Sequence, residues 1–186
     1  MMNDVLNVIA KRYSCRDFAD TPLTQTEVKS LVDAALAAPS AVNRQPWHIC
    51  VITDKALIDE LDMEGMNVLA NAEDKSTYER IIQRGGKIFY NAPCMFMIAS
   101  DGSPYSAMDC GILSQNIALA AHSLGLGNVI CGMAGIPLSG PHGDDYKKRL
   151  QFPKGYGFGI AVLVGWAKSG KDPHEPDMGK VTYITP

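Results

Sequence analysis

Behind Thr24 the apolar positions Val28, Leu31, Val32, Ala35 and Leu36 keep the i, i+3, i+4, i+7, i+8 spacing of a helix with one buried stripe. Thr24 followed by Glu27 forms a capping box at its start. Pro39 ends it, because the proline ring pushes Ala38 out of the helical region. A shorter helix is expected over Asn3 to Lys11, with Val5, Leu6 and Ile9 on one face. The longest helical pattern runs from Ser106 to Leu124 and closes on Gly125. Its small residues Gly111, Ala118, Ala120 and Ala121 leave room for another helix to come close.

Elsewhere the apolar residues run on without alternation. WHICVIT (Trp47 to Thr53), CMFMIA (Cys94 to Ala99), NVICGM and GIAVLVGW read as strands, and unbroken runs suit strands covered on both faces by helices. Asp54 caps a helix expected to end near Met63, and Asp144 and Asp145 open another short one. The span from Gly65 to Arg84 is polar and weakly patterned, and reads as a mobile excursion over a site. Helices first and mixed units afterwards predict an α+β sandwich rather than a doubly wound sheet. No repeat or linker divides the 186 residues, so one domain over 1–186 is expected.

Composition narrows the function classes. A net charge of -3 argues against a nucleic-acid partner, which would ask for a basic surface. The chain begins without the cationic and apolar start of a signal peptide, and no apolar run is long enough to cross a bilayer. The five cysteines are scattered, with no Cys-x-x-Cys and no histidine at ligand spacing, so no metal site is expected. Cys50, Cys94, Cys110 and Cys131 read as small buried hydrophobes in a reducing cytoplasm.

Three stretches could carry chemistry. In RYSCRDF, an extended backbone would turn Arg12, Ser14 and Arg16 to one side, two forked cations and a hydroxyl suited to a phosphate. The alternative is a solvated edge whose arginines pair with Asp17, Asp20 or Asp33. In APSAVNRQPW, two prolines stiffen a loop carrying Ser40, Asn43 and Gln45, whose carboxamides suit a heterocycle edged with carbonyls and N–H groups. A plain helix-to-strand connection, with Ser40 and Asn43 satisfying backbone groups, explains the stretch more readily when it is taken by itself. In CGMAGIP, the small residues Gly132, Ala134 and Gly135 let backbone N–H groups approach a flat ligand, or simply form a turn. No Gly-x-Gly-x-x-Gly follows a strand, and no histidine pairs with a serine or cysteine in a recognisable nucleophile arrangement.

Together these stretches resemble the flavin-dependent nitroreductase family. RYSCRDF is similar to its Arg-x-Ser-x-Arg/Lys-x-Phe element, and APSAVNRQPW to its Pro-Ser-x-x-Asn-x-Gln-Pro-Trp loop. FYNAPCMFMIAS, DCGILSQNIALAAHSLGLGNVICGM and FPKGYGFGIAVLVGWAK follow in the family's order. The resemblance implies an α+β fold with a central, mostly antiparallel sheet flanked by helices, and a homodimer with FMN at the subunit interface. It implies that Arg12, Ser14 and Arg16 grip the FMN phosphate. Pro39, Ser40, Ala41 and Asn43 would reach the flavin of the partner subunit, with backbone N–H groups of Ala134 and Gly135 near its N5 and O4 edge. Lys180 is the best match for a late basic residue on the phosphate. Met178 stands where a second one is frequent, and Ala167 where proline usually follows GW.

The activity implied is that of an oxidoreductase passing reducing equivalents from NADH or NADPH through flavin N5 to nitroaromatics, quinones or similar acceptors by a ping-pong course. A dehalogenase or flavin-consuming enzyme of the same fold, or an FMN-binding carrier or sensor without turnover, are the alternatives. The chemistry belongs to the flavin, so no catalytic side chain is named.

Overall fold

The computed structural model describes residues 3–186. Helix α1 (Asp4–Lys11) leads through RYSCRDF to α2 (Gln25–Leu36). Strand β1 (Trp47–Ile52), helices α3 (Lys55–Ala70) and α4 (Ser76–Ile82), and strand β2 (Cys94–Ser100) follow. The long α5 (Ser106–Ser123) then precedes β3 (Gly127–Ile130), α6 (Ile136–Ser139), α7 (Gly143–Arg149) and β4 (Gly157–Gly165).

Local chemistry sets the helix ends as expected. Thr24 accepts from the Glu27 N–H at 3.2 Å, while the Glu27 carboxylate accepts from the Thr24 N–H at 2.7 Å. Asp54 caps α3 through the N–H groups of Ala56 and Leu57. Helix α5 stops where Gly125 takes a φ of 76°, which lets the Leu126 N–H return to the Ala121 carbonyl at 2.9 Å.

The strands form one antiparallel sheet in the order β1-β2-β4-β3. Alternate side chains of its two central strands enter two cores. Met95, Met97, Ala161 and Leu163 pack with Ile58 and Leu61 of α3, Ile81 of α4, Leu138 of α6 and Tyr146 of α7. Phe96, Ile98, Val162 and Val164 pack on the other face with Leu31 and Ala35 of α2 and Leu113, Ile117 and Ala121 of α5. Every residue of β2 is buried, which is why its sequence lacks alternation. Each large apolar side chain so covered contributes about 1.5–3 kcal/mol.

The segment from Gly65 to Arg84 differs from the expected excursion. Helix α3 runs to Ala70, past the end expected near Met63, and α4 occupies Ser76–Ile82. The polar pattern concealed a tertiary anchor. Asp62 is 5% exposed and accepts from the Ile88 N–H at 2.7 Å, fastening α3 to the turn that enters β2. Among the described residues no helix is long and apolar enough to cross a membrane.

Candidate functional site

RYSCRDF is pinned between β3 and the chain leaving β4. Cys15 donates its N–H to the Asn128 carbonyl at 2.8 Å, Ala19 to Trp166 at 2.8 Å, and Lys168 to Asp17 at 3.0 Å. Cys15 and Phe18 are buried and anchor the segment, leaving Arg12 and Ser14 half-buried and Arg16 exposed. Among the described residues neither guanidinium joins an ion pair. Two of the acids named as alternative partners pair with lysines instead, Asp17 with Lys168 at 3.8 Å and Asp33 with Lys29 at 2.6 Å.

Ser14 and Arg16 line a cavity of about 340 Å³ with Tyr13, Asp17 and the stretch Ser169, Gly170 and Lys171. Strict alternation therefore does not describe the segment, since Tyr13 and Asp17 share the cavity with Ser14 and Arg16. The segment makes only isolated bridges, Ser14 to Asn128 and Phe18 to Ala167, and is not a regular strand. Arg12 lies outside that lining. It acts on His122, whose pKa is held below its ordinary value by burial first and then by Arg12 and Lys11.

Lys171 was missed by sequence reasoning. Its only signal was a cation soon after Trp166, in a tail where Lys180 drew attention. Lys180 sits in an exposed 3-10 turn, Met178–Lys180, outside the cavity lining.

The loop after α2 holds an unusual backbone. Val42, Asn43 and Gln45 have φ of 48°, 55° and 50°, the left-handed region that β-branched residues such as valine seldom enter. Ser40 Oγ accepts from the Gln45 N–H at 2.9 Å, the local role foreseen for a plain connection. The Asn43 carboxamide instead accepts from Gln45 Nε2 at 3.1 Å. Pro39 and Asn43 are exposed, Ala41 is half-buried, and Val42 is 98% exposed at the tip. Backbone in this region costs free energy and persists only where the surrounding structure holds it.

After β3, Gly132–Gly135 forms a short 3-10 turn with Ala134 fully buried. The Ala134 N–H reaches back to the Cys131 carbonyl at 3.4 Å. A side chain at Gly135 would stand 2.6 Å from Phe158 Cδ1, so only glycine lets the turn close against β4. Gly132 is exposed, with only Ile160 Cδ1 near the place of its missing side chain, at 3.9 Å.

All five cysteines are buried and free. Burial pushes the thiols of Cys50 and Cys131 up to about 11 and Cys94 to about 12, and raises Cys15 and Cys110. They stay protonated at neutral pH and offer no nucleophile. The three stretches thus present cations, hydroxyls, carboxamides and backbone N–H groups, with no activated thiol among them.

The nitroreductase family's sequence profile matches residues 9–166. A solved nitroreductase with bound FMN from Desulfitobacterium hafniense DCB-2 is 47% identical, with a TM-score of 0.96 over 100% of both chains. An FMN reductase (NADPH) of Bacillus subtilis is 30% identical over 190 residues, covering 94% of this chain and 71% of its own length. A protein of Methanothermobacter thermautotrophicus, provisionally named NADH dehydrogenase/NAD(P)H nitroreductase, is 31% identical over 135 residues. That match covers 70% of this chain and 61% of the relative, so the chain spans less than two thirds of it. A profile running from α1 to Trp166 and a full-length relative of the same shape show that the chain belongs to the nitroreductase family.

Proposed function

We propose that this chain is an FMN-dependent oxidoreductase, one domain over 1–186, working as a cytoplasmic homodimer with NADH or NADPH as donor. Its acceptors are nitroaromatics, quinones or similar small oxidants. The observation that carries this reading is the cavity lined by Ser14, Arg16 and Lys171, where Arg16 joins no ion pair among the described residues and the lining acid Asp17 faces Lys168 at 3.8 Å. A phosphate monoester fits it, because a guanidinium supplies forked donors and the Ser14 hydroxyl adds another.

The residues present fit FMN. Ser14 and Arg16, with Arg12 beside α5, would hold its phosphate, and the Gly132–Gly135 turn would lie along its ring. Pro39, Ser40, Ala41 and Asn43 would meet it from the partner subunit, and Lys180 would approach from the tail. FMN held there would supply the redox chemistry between a nicotinamide donor and the acceptor. The chain's own part is to bind, to orient the ring and to hold N–H donors and positive charge near it, which favours charge developing there.

Exposed apolar faces support a second copy. Val5, Leu6 and Ile9 of α1 are 64%, 49% and 48% exposed, and Met108 and Ile112 of α5 also face solvent. The tail from Lys168 onward is exposed throughout, Ile184 by 96%. Apolar patches of this kind mark contact surfaces. Free, buried cysteines fit a reducing cytoplasm.

The purified protein tests the reading. Yellow flavin absorbance that NADH or NADPH bleaches without oxygen, and that a nitroaromatic restores, is the expected result. A colourless protein that cannot be reconstituted with FMN would sink it, and bound flavin that neither nicotinamide bleaches would point to a carrier or sensor.

A further inference from the structure

Val42, Asn43 and Gln45 hold left-handed backbone without a glycine among them, at a tip where Val42 has almost no cover. Such backbone persists only when its surroundings hold it there. The Ser40 hydroxyl binds the Gln45 N–H and closes the loop on itself, but does not fix it to the fold. Two acids from one short stretch of chain do. The Ala41 N–H donates to both carboxylate oxygens of Asp109, at 3.2 and 3.3 Å. Arg44 donates through Nε to Asp101 Oδ2 at 3.0 Å, with a second guanidinium nitrogen at the same distance. Asp101 follows β2 and Asp109 stands in the first turn of α5, so the junction of these elements grips both ends of the loop.

The two grips differ in depth. Asp109 is 4% exposed, and among the described residues no lysine or arginine pairs with it. Its two carboxylate oxygens share the Ala41 N–H in a part-buried contact, which solvent screens less than the outer pair. Arg44 is half exposed, and its ion pair is screened by solvent.

We propose that Asp109 is a positioning residue for the cofactor site, holding Ser40 and Asn43 in the conformation from which they serve the flavin. This rests on the FMN reading given above. Asp101, through Arg44, is the weaker outer grip.

Full-length Asp109→Ala, Asp109→Asn and Asp101→Ala proteins test it by hydrogen exchange across residues 38–46 without FMN, and by FMN affinity from flavin fluorescence. Asp109→Ala should quicken exchange in the loop and weaken FMN about ten-fold or more, with secondary structure and self-association unchanged. Asp109→Asn, whose amide oxygen still accepts from Ala41, should recover most of both effects, and Asp101→Ala should show a smaller change. Unaltered loop exchange in Asp109→Ala would overturn the clamp. A loosened loop with unaltered FMN affinity would overturn its link to the cofactor. If Asp109→Ala does not fold, Asp109→Leu, of similar size but with no acceptor for the Ala41 N–H, replaces it with the same expected and overturning results. Should the wild type take up no FMN, the functional reading fails, and exchange alone judges the clamp.

Discussion

The Tyr13 hydroxyl donates to the Ser169 carbonyl at 3.2 Å, across 156 residues of chain. With the Lys168 N–H on the Asp17 carbonyl at 3.0 Å, it folds the chain leaving β4 back over RYSCRDF. Lys171 thereby comes to line the same cavity as Ser14 and Arg16. Met178 had suggested that the phosphate lacked one basic partner. The structure offers a cation from the same chain much earlier in the tail.

Lys171→Ala should therefore weaken FMN by about 1 kcal/mol, the hydrogen bond to a charged group being discounted for solvent exposure. Riboflavin, which has no phosphate, should bind both proteins equally. Titrating the apo-proteins with each flavin measures the difference. An equal loss for riboflavin would mean that Lys171 supports the fold rather than the phosphate.

Gly135→Ala should destabilise the protein, because the new methyl would stand 2.6 and 2.8 Å from two atoms of the Phe158 ring, packed against the core. Overpacking of this kind costs about 1–3 kcal/mol. Thermal unfolding should shift down by roughly 2–4 °C for each kcal/mol lost. Gly132→Ala meets only Ile160 Cδ1 at 3.9 Å and should leave the apo-protein's unfolding temperature unchanged.

Asp62 gives a pH-dependent prediction. Burial raises its carboxyl above the ordinary 3.8, and the N–H groups of Ile88 and Phe89 and the charge of Lys87 offset this only in part. Between the ordinary value and the raised one, the folded protein binds more protons than the unfolded chain. Stability linked to this group thus falls as pH rises through that window, and stays lower above it. Asp62→Asn keeps an acceptor for Ile88 but carries no charge. It should match the wild type in acid and be more stable at neutral pH, as denaturant unfolding at several pH values would show. A constant difference at every pH would assign the effect to packing.

Much of this architecture was legible because its causes are local. The capping box at Thr24, the stop at Gly125 and the unbroken apolar run of β2 each follow from neighbouring residues. The length of α3 was not legible, since Asp62 looks like a surface acid until Ile88 is folded against it. The same holds for the site. Two prolines announced a stiff loop, but nothing near Ala41 in sequence points to Asp109, 68 residues away. Lys180 matched a motif by its place in the chain, whereas Lys171 depends on where the chain turns back.

Arg12 and Asn43 test whether each flavin is shared between subunits. Arg12→Ala should weaken FMN by roughly 1.5–3 kcal/mol, the contribution of a hydrogen bond to a charged group, and Asn43→Ala should impair both sites of its own homodimer. A mixed dimer behaves differently if one subunit supplies Arg12 and the other Asn43 to the same flavin. One of its sites then carries both defects and the other carries neither. Co-expressing the two variants with different tags and purifying through both should give a dimer that binds one FMN per pair of chains at wild-type affinity. If each chain builds its site alone, every site in the mixed dimer keeps one defect and no tight site returns. Counting tightly bound flavin in the doubly tagged dimer decides between them, because the two arrangements differ in stoichiometry as well as in affinity.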